Sequence, residues 1–205
     1  MHGDSPASSA PHLLIFRVRG LEIAVDFTAP ALLALLSLLL TPRALLMTVL
    51  ACILHESAHF LAMLLTRCKP IRLTVSAVGF RLTLQSSALC PLPVFCAVML
   101  AGAGANLLAA AVFALAGLPD AAAANLAPAL FNLLPFHSTD GGTLLSAVLE
   151  HFWLIRRPSL PRRMMRLLSA GTAAALGIGM IACGITNPSL WGMLLFMSAS
   201  ELLCG

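Results

Sequence analysis

His55, Glu56 and His59 stand together in "LHESAHF", Leu54 to Phe60, in an otherwise apolar stretch that reads "ALLMTVLACI" upstream and "LAMLLT" downstream. An ionisable side chain in hydrocarbon costs about 2.5–3.5 kcal/mol on insertion scales, so three of them in one place require a compensating role. On a helix, His55 and His59 are four residues apart and share one face, about one turn from each other. Two imidazoles at that spacing can bind one zinc ion, with the intervening glutamate beside the metal as general base. Structural histidines or a proton pathway are the alternatives this motif alone leaves open.

A second polar stretch, "NLLPFHSTDGG", runs from Asn132 to Gly142. Pro135 breaks the helical hydrogen-bond ladder, and Gly141-Gly142 are expected to loosen it again. Non-helical backbone at membrane depth is tolerated only when buried in protein or lining a wet cavity. Asp140 sits at that break. A catalytic zinc commonly has three protein ligands plus water, and His55, His59 and Asp140 make such a set; the alternative for Asp140 is a helix-terminal residue at the interface. Asn132 has two readings. Its amide could donate to a tetrahedral oxyanion or to substrate backbone, or it could pair with backbone freed by Pro135. His137, between the two halves of the motif, receives no role.

The elements that must carry these residues follow from composition. Of the 205 residues, 60% are hydrophobic and only 10% charged, against about 25% charged in an ordinary globular domain. No Asp, Glu, Lys or Arg occurs from Leu82 to Pro119 or from Leu167 to Ser200. Such a chain cannot cover a soluble core with polar surface, which excludes a soluble zinc peptidase and implies an all-α polytopic membrane protein. About six spans are expected, near 28–41, 44–66, 91–118, 122–150, 165–184 and 187–204, the first short and the fourth interrupted. The run beginning at Ala29 is read as a membrane helix because "TPR" follows it rather than a small-residue cleavage site. All of the 12 Lys and Arg except Arg43 then fall on the side of the N-terminus, which puts both termini in the cytoplasm by the positive-inside rule. The net charge of +4 is accordingly a matter of topology and lipid attraction, with no nucleic-acid partner.

Two loops alternate with period two: "LLIFRVRGLEIAVDF" around Gly20 and "IRLTVSAVGFRLTLQ" around Gly79. Each reads as a short β-hairpin on the cytoplasmic rim, or else as an amphipathic surface segment. The six cysteines contain no CxxC pair and read as small hydrophobes. Of the eight acidic residues, only Glu56 and Asp140 are expected well inside spans; Glu201 is placed near a span end. "GTAAALGIG" has small residues at helix-packing spacing. Met193, Phe196, Met197 and Phe152 read as lipid-facing or core.

With "HESAH" in one span and "NLLPFHSTDGG" in a later one, the chain resembles the site-2 protease family of intramembrane zinc metalloproteases. That family's motifs are HExxH and NxxPxxxxDG, and both match here residue for residue. The resemblance implies one Zn2+ per chain held by His55, His59 and Asp140, Glu56 as catalytic base, and Asn132 near the substrate backbone. It covers roughly residues 44–150, the catalytic core of a single membrane-embedded protease domain over 1–205, with helices 165–184 and 187–204 C-terminal to it. The six-span layout, short N-terminal strands and "FNLLP" look most like the stage IV sporulation FB branch, which processes a sigma-factor precursor at a bacterial membrane. Neither the CBS domain that branch often carries nor the PDZ domain of other branches is found in the sequence. Ala105 stands where family members often have a proline in "AGAGANLL", so no role is carried to Asn106.

The expected activity is hydrolysis of a peptide bond in or near a membrane-spanning segment of a membrane-associated protein, in contact with the lipid bilayer and open to inhibitory or regulatory membrane partners. The cell membrane of a bacterium is the expected location, and the oligomeric state is unassigned. Two rivals stay open: a catalytically silent member of the same fold that binds membrane partners, and a metal or proton transporter. Water must reach the site. His59 lies about seven residues from Thr66 at the cytoplasmic end of its span, roughly 10 Å by helical rise. The hairpin near residues 71–85 is expected to capture an extended substrate strand by β-addition.

Overall fold

The computed structural model describes residues 12–18, 21–66, 70–76, 79–84, 90–153, 157 and 159–204. The strands are β1 (His12–Val18), β2 (Leu21–Asp26), β3 (Pro70–Ser76) and β4 (Gly79–Leu84). The helices are α1 (Thr28–Leu39), α2 (Pro42–Thr66), α3 (Leu92–Leu115), α4 (Pro119–Asn132), α5 (Asp140–Trp153), α6 (Leu160–Ala182) and α7 (Pro188–Cys204).

Among the described residues three helices, α2, α3 and α6, are long and apolar enough to cross a membrane. Their outward residues include Leu61, Leu64 and Leu65 on α2, Leu108 and Leu115 on α3, and Leu167, Ile178 and Ile181 on α6, all exposed. In water such faces would be an association surface; as the lipid-facing side of a membrane protein they are at home. The other expected spans take a different form. Helix α1 has 12 residues, about 18 Å by helical rise, short of the roughly 30 Å hydrocarbon core. The expected span 122–150 is two 14-residue helices, α4 and α5, with residues 133–139 between them. Helix α6 begins at Leu160, ahead of the expected 165, because Pro161 falls in the first turn, where its missing N–H costs nothing. The charged "PRRMMR" is thus a polar first turn and a half of the helix. Helix α7 spans 17 residues, with its apolar portion at Leu190–Ala199.

Both alternating segments contain paired strands, β1 antiparallel to β2 and β3 antiparallel to β4. The sheet goes further than two separate hairpins: β2 pairs with β3 in parallel, Glu22 opposite Arg72 and Val25 opposite Val75, in the order β1-β2-β3-β4. Parallel neighbours need a long crossover, and α1 with α2 provides it. The pairing therefore brings the start of α1 and the end of α2 to the same sheet. Across β1 and β2, Arg17 bonds Glu22 at 3.0 Å, a cross-strand pair of opposite charge.

The buried residues of the bundle form narrow stripes. Helix α2 buries Ala51, His55, His59 and Met63, and α3 buries Val98, Gly102, Ala103, Asn106 and Ala110. The four on α2 recur every fourth residue, as do four of the five on α3, which is the spacing of one helix face. The stripe on α3 is rich in small residues, the means by which membrane helices bring their backbones close. Between the first turns of α2 and α4, Arg43 lies 3.4 Å from Asp120, both exposed. A surface pair is worth about 0–1 kcal/mol, so its interest is topological: the α1–α2 and α3–α4 connections lie together at one end. Cys52, Cys96 and Cys183 are free thiols.

Candidate metal centre

His55 and His59 occupy the middle of α2's buried stripe, each 4% exposed. The facing helix makes room for them. A Cβ on Gly102 would lie 2.6 Å from His55 Nε2 and would also overlap His59 Nε2, so only glycine lets α3 back the two rings this closely. Four residues before it, the Val98 carbonyl lies 2.7 Å from His59 Nδ1. A carbonyl can only accept, so Nδ1 carries a proton, and in its neutral form His59 presents the Nε2 lone pair inward. Metal-binding histidines are commonly oriented in this way.

Asp140 opens α5, where the loop of residues 133–139 from α4 delivers it. Helix α4 ends at Asn132, before Pro135, as expected where proline disfavours helix in the preceding residue. Thr139 then caps α5: its Oγ1 accepts from the Gly142 N–H at 3.2 Å, leaving Asp140 as the first residue of the helix. A carboxylate is favoured there by the helix dipole. Gly141 and Gly142 do not loosen the helix, contrary to the sequence expectation. They form its first turn, and a Cβ on Gly141 would run into the Leu133 backbone, one on Gly142 into the Phe136 backbone. The glycines are there so that the loop can fold down over α5. Phe136, 1% exposed, anchors it in the core.

These elements bring three donors together. Asp140 Oδ2 lies 2.9 Å from His55 Nε2 and 3.0 Å from His59 Nε2, and the two Nε2 atoms are 3.1 Å apart. Zinc–ligand distances of about 2.0–2.1 Å in tetrahedral array put donors roughly 3.3–3.4 Å apart, so the observed triangle is within a few tenths of an ångström of a zinc set. Two imidazole lone pairs and a carboxylate oxygen at this separation repel one another unless a cation or protons lie among them. A divalent ion satisfies all three donors together. Among the described residues this is the one group of three or more His, Cys, Asp or Glu side chains arranged to hold a metal.

Glu56 is half-buried on α2, and its carboxylate is within electrostatic reach of both imidazoles and of Asp140. Asn132, the last residue of α4, is half-buried and donates from Nδ2 to the Pro128 carbonyl at 3.0 Å. Its present partner is thus its own helix, one turn back, rather than the carbonyl facing Pro135. His137 is exposed. Asn106 is fully buried, with neither amide atom partnered among the described groups, and His55 Nδ1 is likewise buried without a partner there.

Sequence reasoning missed four contributors: the Val98 carbonyl, Gly102, Thr139 and Glu201. Glu201 was legible by the rule that singled out Glu56, since it is an acid in an apolar helix. It lies buried, 7% exposed, and not at a solvated span end. Met197 is buried as well, whereas Met193, Phe196 and Phe152 are exposed.

Protein-family models and curated protein sequences give no match to this chain. Among solved structures it is similar to the site-2 protease from Methanocaldococcus jannaschii, with a TM-score of 0.65 and 17% identity over 93% of this chain and 94% of that one. The likeness is one of fold, and it runs through nearly the whole of both chains: this protein has the architecture of that site-2 protease, with a metal-capable His-His-Asp cluster inside it.

Proposed function

We propose that the protein is an intramembrane zinc metalloendopeptidase that hydrolyses a peptide bond in or near a membrane-spanning segment of a membrane-associated protein. The observation that carries this reading is the convergence of His55, His59 and Asp140 from two helices, with Glu56 alongside, in a fold similar to a site-2 protease. His55, His59 and Asp140 would hold one Zn2+. An ion held there would supply Lewis-acid polarisation of the scissile carbonyl and a lowered water pKa.

The chain's own residues account for the rest. Glu56 takes a proton from water as the oxygen bonds to the carbonyl carbon, and returns it to the amine nitrogen as the C–N bond breaks. The Val98 carbonyl and Gly102 keep the two imidazoles oriented throughout. Asn132 would turn its amide from the Pro128 carbonyl to the substrate backbone or the oxyanion. The edge strand β4 is the proposed place where an unwound substrate segment is held extended by β-addition. Ligands converging at one point, rather than spaced along a path, favour hydrolysis over metal or proton transport.

The same reading includes a single membrane-embedded unit over 1–205 with its catalytic core in 44–150. It further includes a multi-pass location in a bacterial cell membrane with both termini cytoplasmic. The short N-terminal strands and "FNLLP" carry the narrower proposal of a sporulation sigma-factor precursor as substrate; failure of the purified enzyme to cut such a precursor would remove that branch alone.

The deciding experiment is elemental analysis of the detergent-purified chain beside His59→Ala. About one zinc per chain, lost in the variant, is the expected result. No zinc after gentle purification and zinc supplementation would favour a catalytically silent membrane-binding protein of the same fold.

A further inference from the structure

We infer that Glu201, on α7, is a positioning residue for the metal centre, holding the backbone of the loop that delivers Asp140; the inference rests on the metal-site reading above. Glu201 Oε1 accepts a hydrogen bond from the backbone N–H of His137. Its other oxygen lies 3.4 Å from the hydroxyl of Ser169, a buried residue of α6. One turn earlier on α7, the Met197 sulfur lies 3.4 Å from the Ser138 hydroxyl. Two consecutive loop residues are thus held by two side chains on one face of α7.

The short path from this clasp to the metal ligand is rigid. The Thr139 N–H bonds the Phe136 carbonyl at 3.0 Å, and Thr139 Oγ1 caps α5 through Gly142. Asp140 is the next residue. Moving His137 therefore moves Asp140 relative to α2, which carries the histidines. A carboxylate buried in an apolar helix is disfavoured unless hydrogen-bonded; here the loop N–H is its close donor, since the single Ser169 hydroxyl proton is shared with the nearer Met165 carbonyl at 2.9 Å. Removing the acceptor should leave the His137 N–H unpaired and free the loop to shift.

The test uses the full chain in detergent as wild type, Glu201→Gln, Glu201→Met and Ser169→Ala. Zinc affinity is read by competition with a chromophoric chelator, ligand geometry by the visible bands of the Co2+ form, and loop order by amide exchange of residues 136–140 in metal-stripped protein. Glu201→Met is expected to weaken zinc by about 10-fold, the lower end for residues that orient metal ligands, to change the Co2+ bands and to speed exchange at His137. Glu201→Gln, whose amide oxygen can accept the same N–H, should stay near wild type in all three. Ser169→Ala, which spares the His137 bond, should do the same. If Glu201→Met does not fold, Glu201→Asp, with its acceptor drawn back by one methylene, is expected to show the same losses. Wild-type affinity, spectrum and exchange in the acceptor-lacking or shortened variant would overturn the inference while leaving the metal centre intact. A wild-type chain that takes up no metal would overturn the metal reading and this inference with it.

Discussion

Separating ligand from base is the first task at the scale of single residues. Asp140 closes the donor triangle, whereas Glu56 stands beside it. Asp140→Asn keeps the side chain's shape but gives up the charge that balances a divalent ion, so zinc affinity and cleavage should fall together, by at least about 10-fold. Glu56→Gln should bind zinc as the wild type does and lose about 10²- to 10⁴-fold in cleavage rate, the range for a positioned general base. Zinc titration and a cleavage assay on the same preparations check both. Near-normal cleavage by Glu56→Gln would reject the chemistry. Gly102 supplies a third prediction. Its replacement by alanine puts a methyl group where the two Nε2 atoms lie, so Gly102→Ala should lose zinc and cleavage. Gly104→Ala, on the same helix but with nothing within 4 Å of its added Cβ, should leave both unchanged.

Among the elements, the α4–α5 loop and the sheet edge carry the argument. The loop works because two glycines at the start of α5 let backbone lie against backbone. Gly142→Ala would drive its Cβ into the Phe136 backbone, and overpacking of this kind costs about 1–3 kcal/mol. A lowered midpoint of thermal unfolding in detergent, with weaker zinc binding, is the expected outcome; a thermal midpoint and zinc affinity equal to wild type would count against the close approach. Strand β4 is an edge of the described sheet, and an edge strand offers unpaired backbone groups. Proline substitutions along residues 79–84 should slow substrate cleavage and shift the cut site while leaving zinc content alone. Unchanged rate and site choice would dismiss β-addition.

For the whole molecule the question is orientation. All basic residues but Arg43 fall on one side of the expected topology, and Arg43 pairs with Asp120 at the meeting of two connections. Single cysteines placed at 43 or 120, in a chain otherwise free of reactive thiols, should react with a membrane-impermeant reagent added outside intact cells. One at 157 should react only after the membrane is opened. The reverse pattern would invert the topology and put the sheet outside.

Much of the candidate site was legible in the residues. The i, i+4 histidines, the acid between them and the aspartate at a proline break depend only on helix geometry and on the cost of charge in hydrocarbon, both local properties, and so did the membrane class. The alternating segments announced strands for the same reason. Other features needed the fold. Helix α2 is apolar on every side because its outer face meets lipid, so the contrast that marks the inner face of a soluble helix is absent, and the buried stripe emerges only once α3 is packed against it. The joining of two hairpins through parallel β2 and β3 depends on where α1 and α2 leave and return. Gly102 reads as one small residue among many until its distance from the imidazoles is known. Glu201 reads as a helix-end acid until the loop from 64 positions earlier is found resting on it. Spacing along the chain specifies which groups can share a helix face; contacts between distant segments arise only when close packing brings the backbones together.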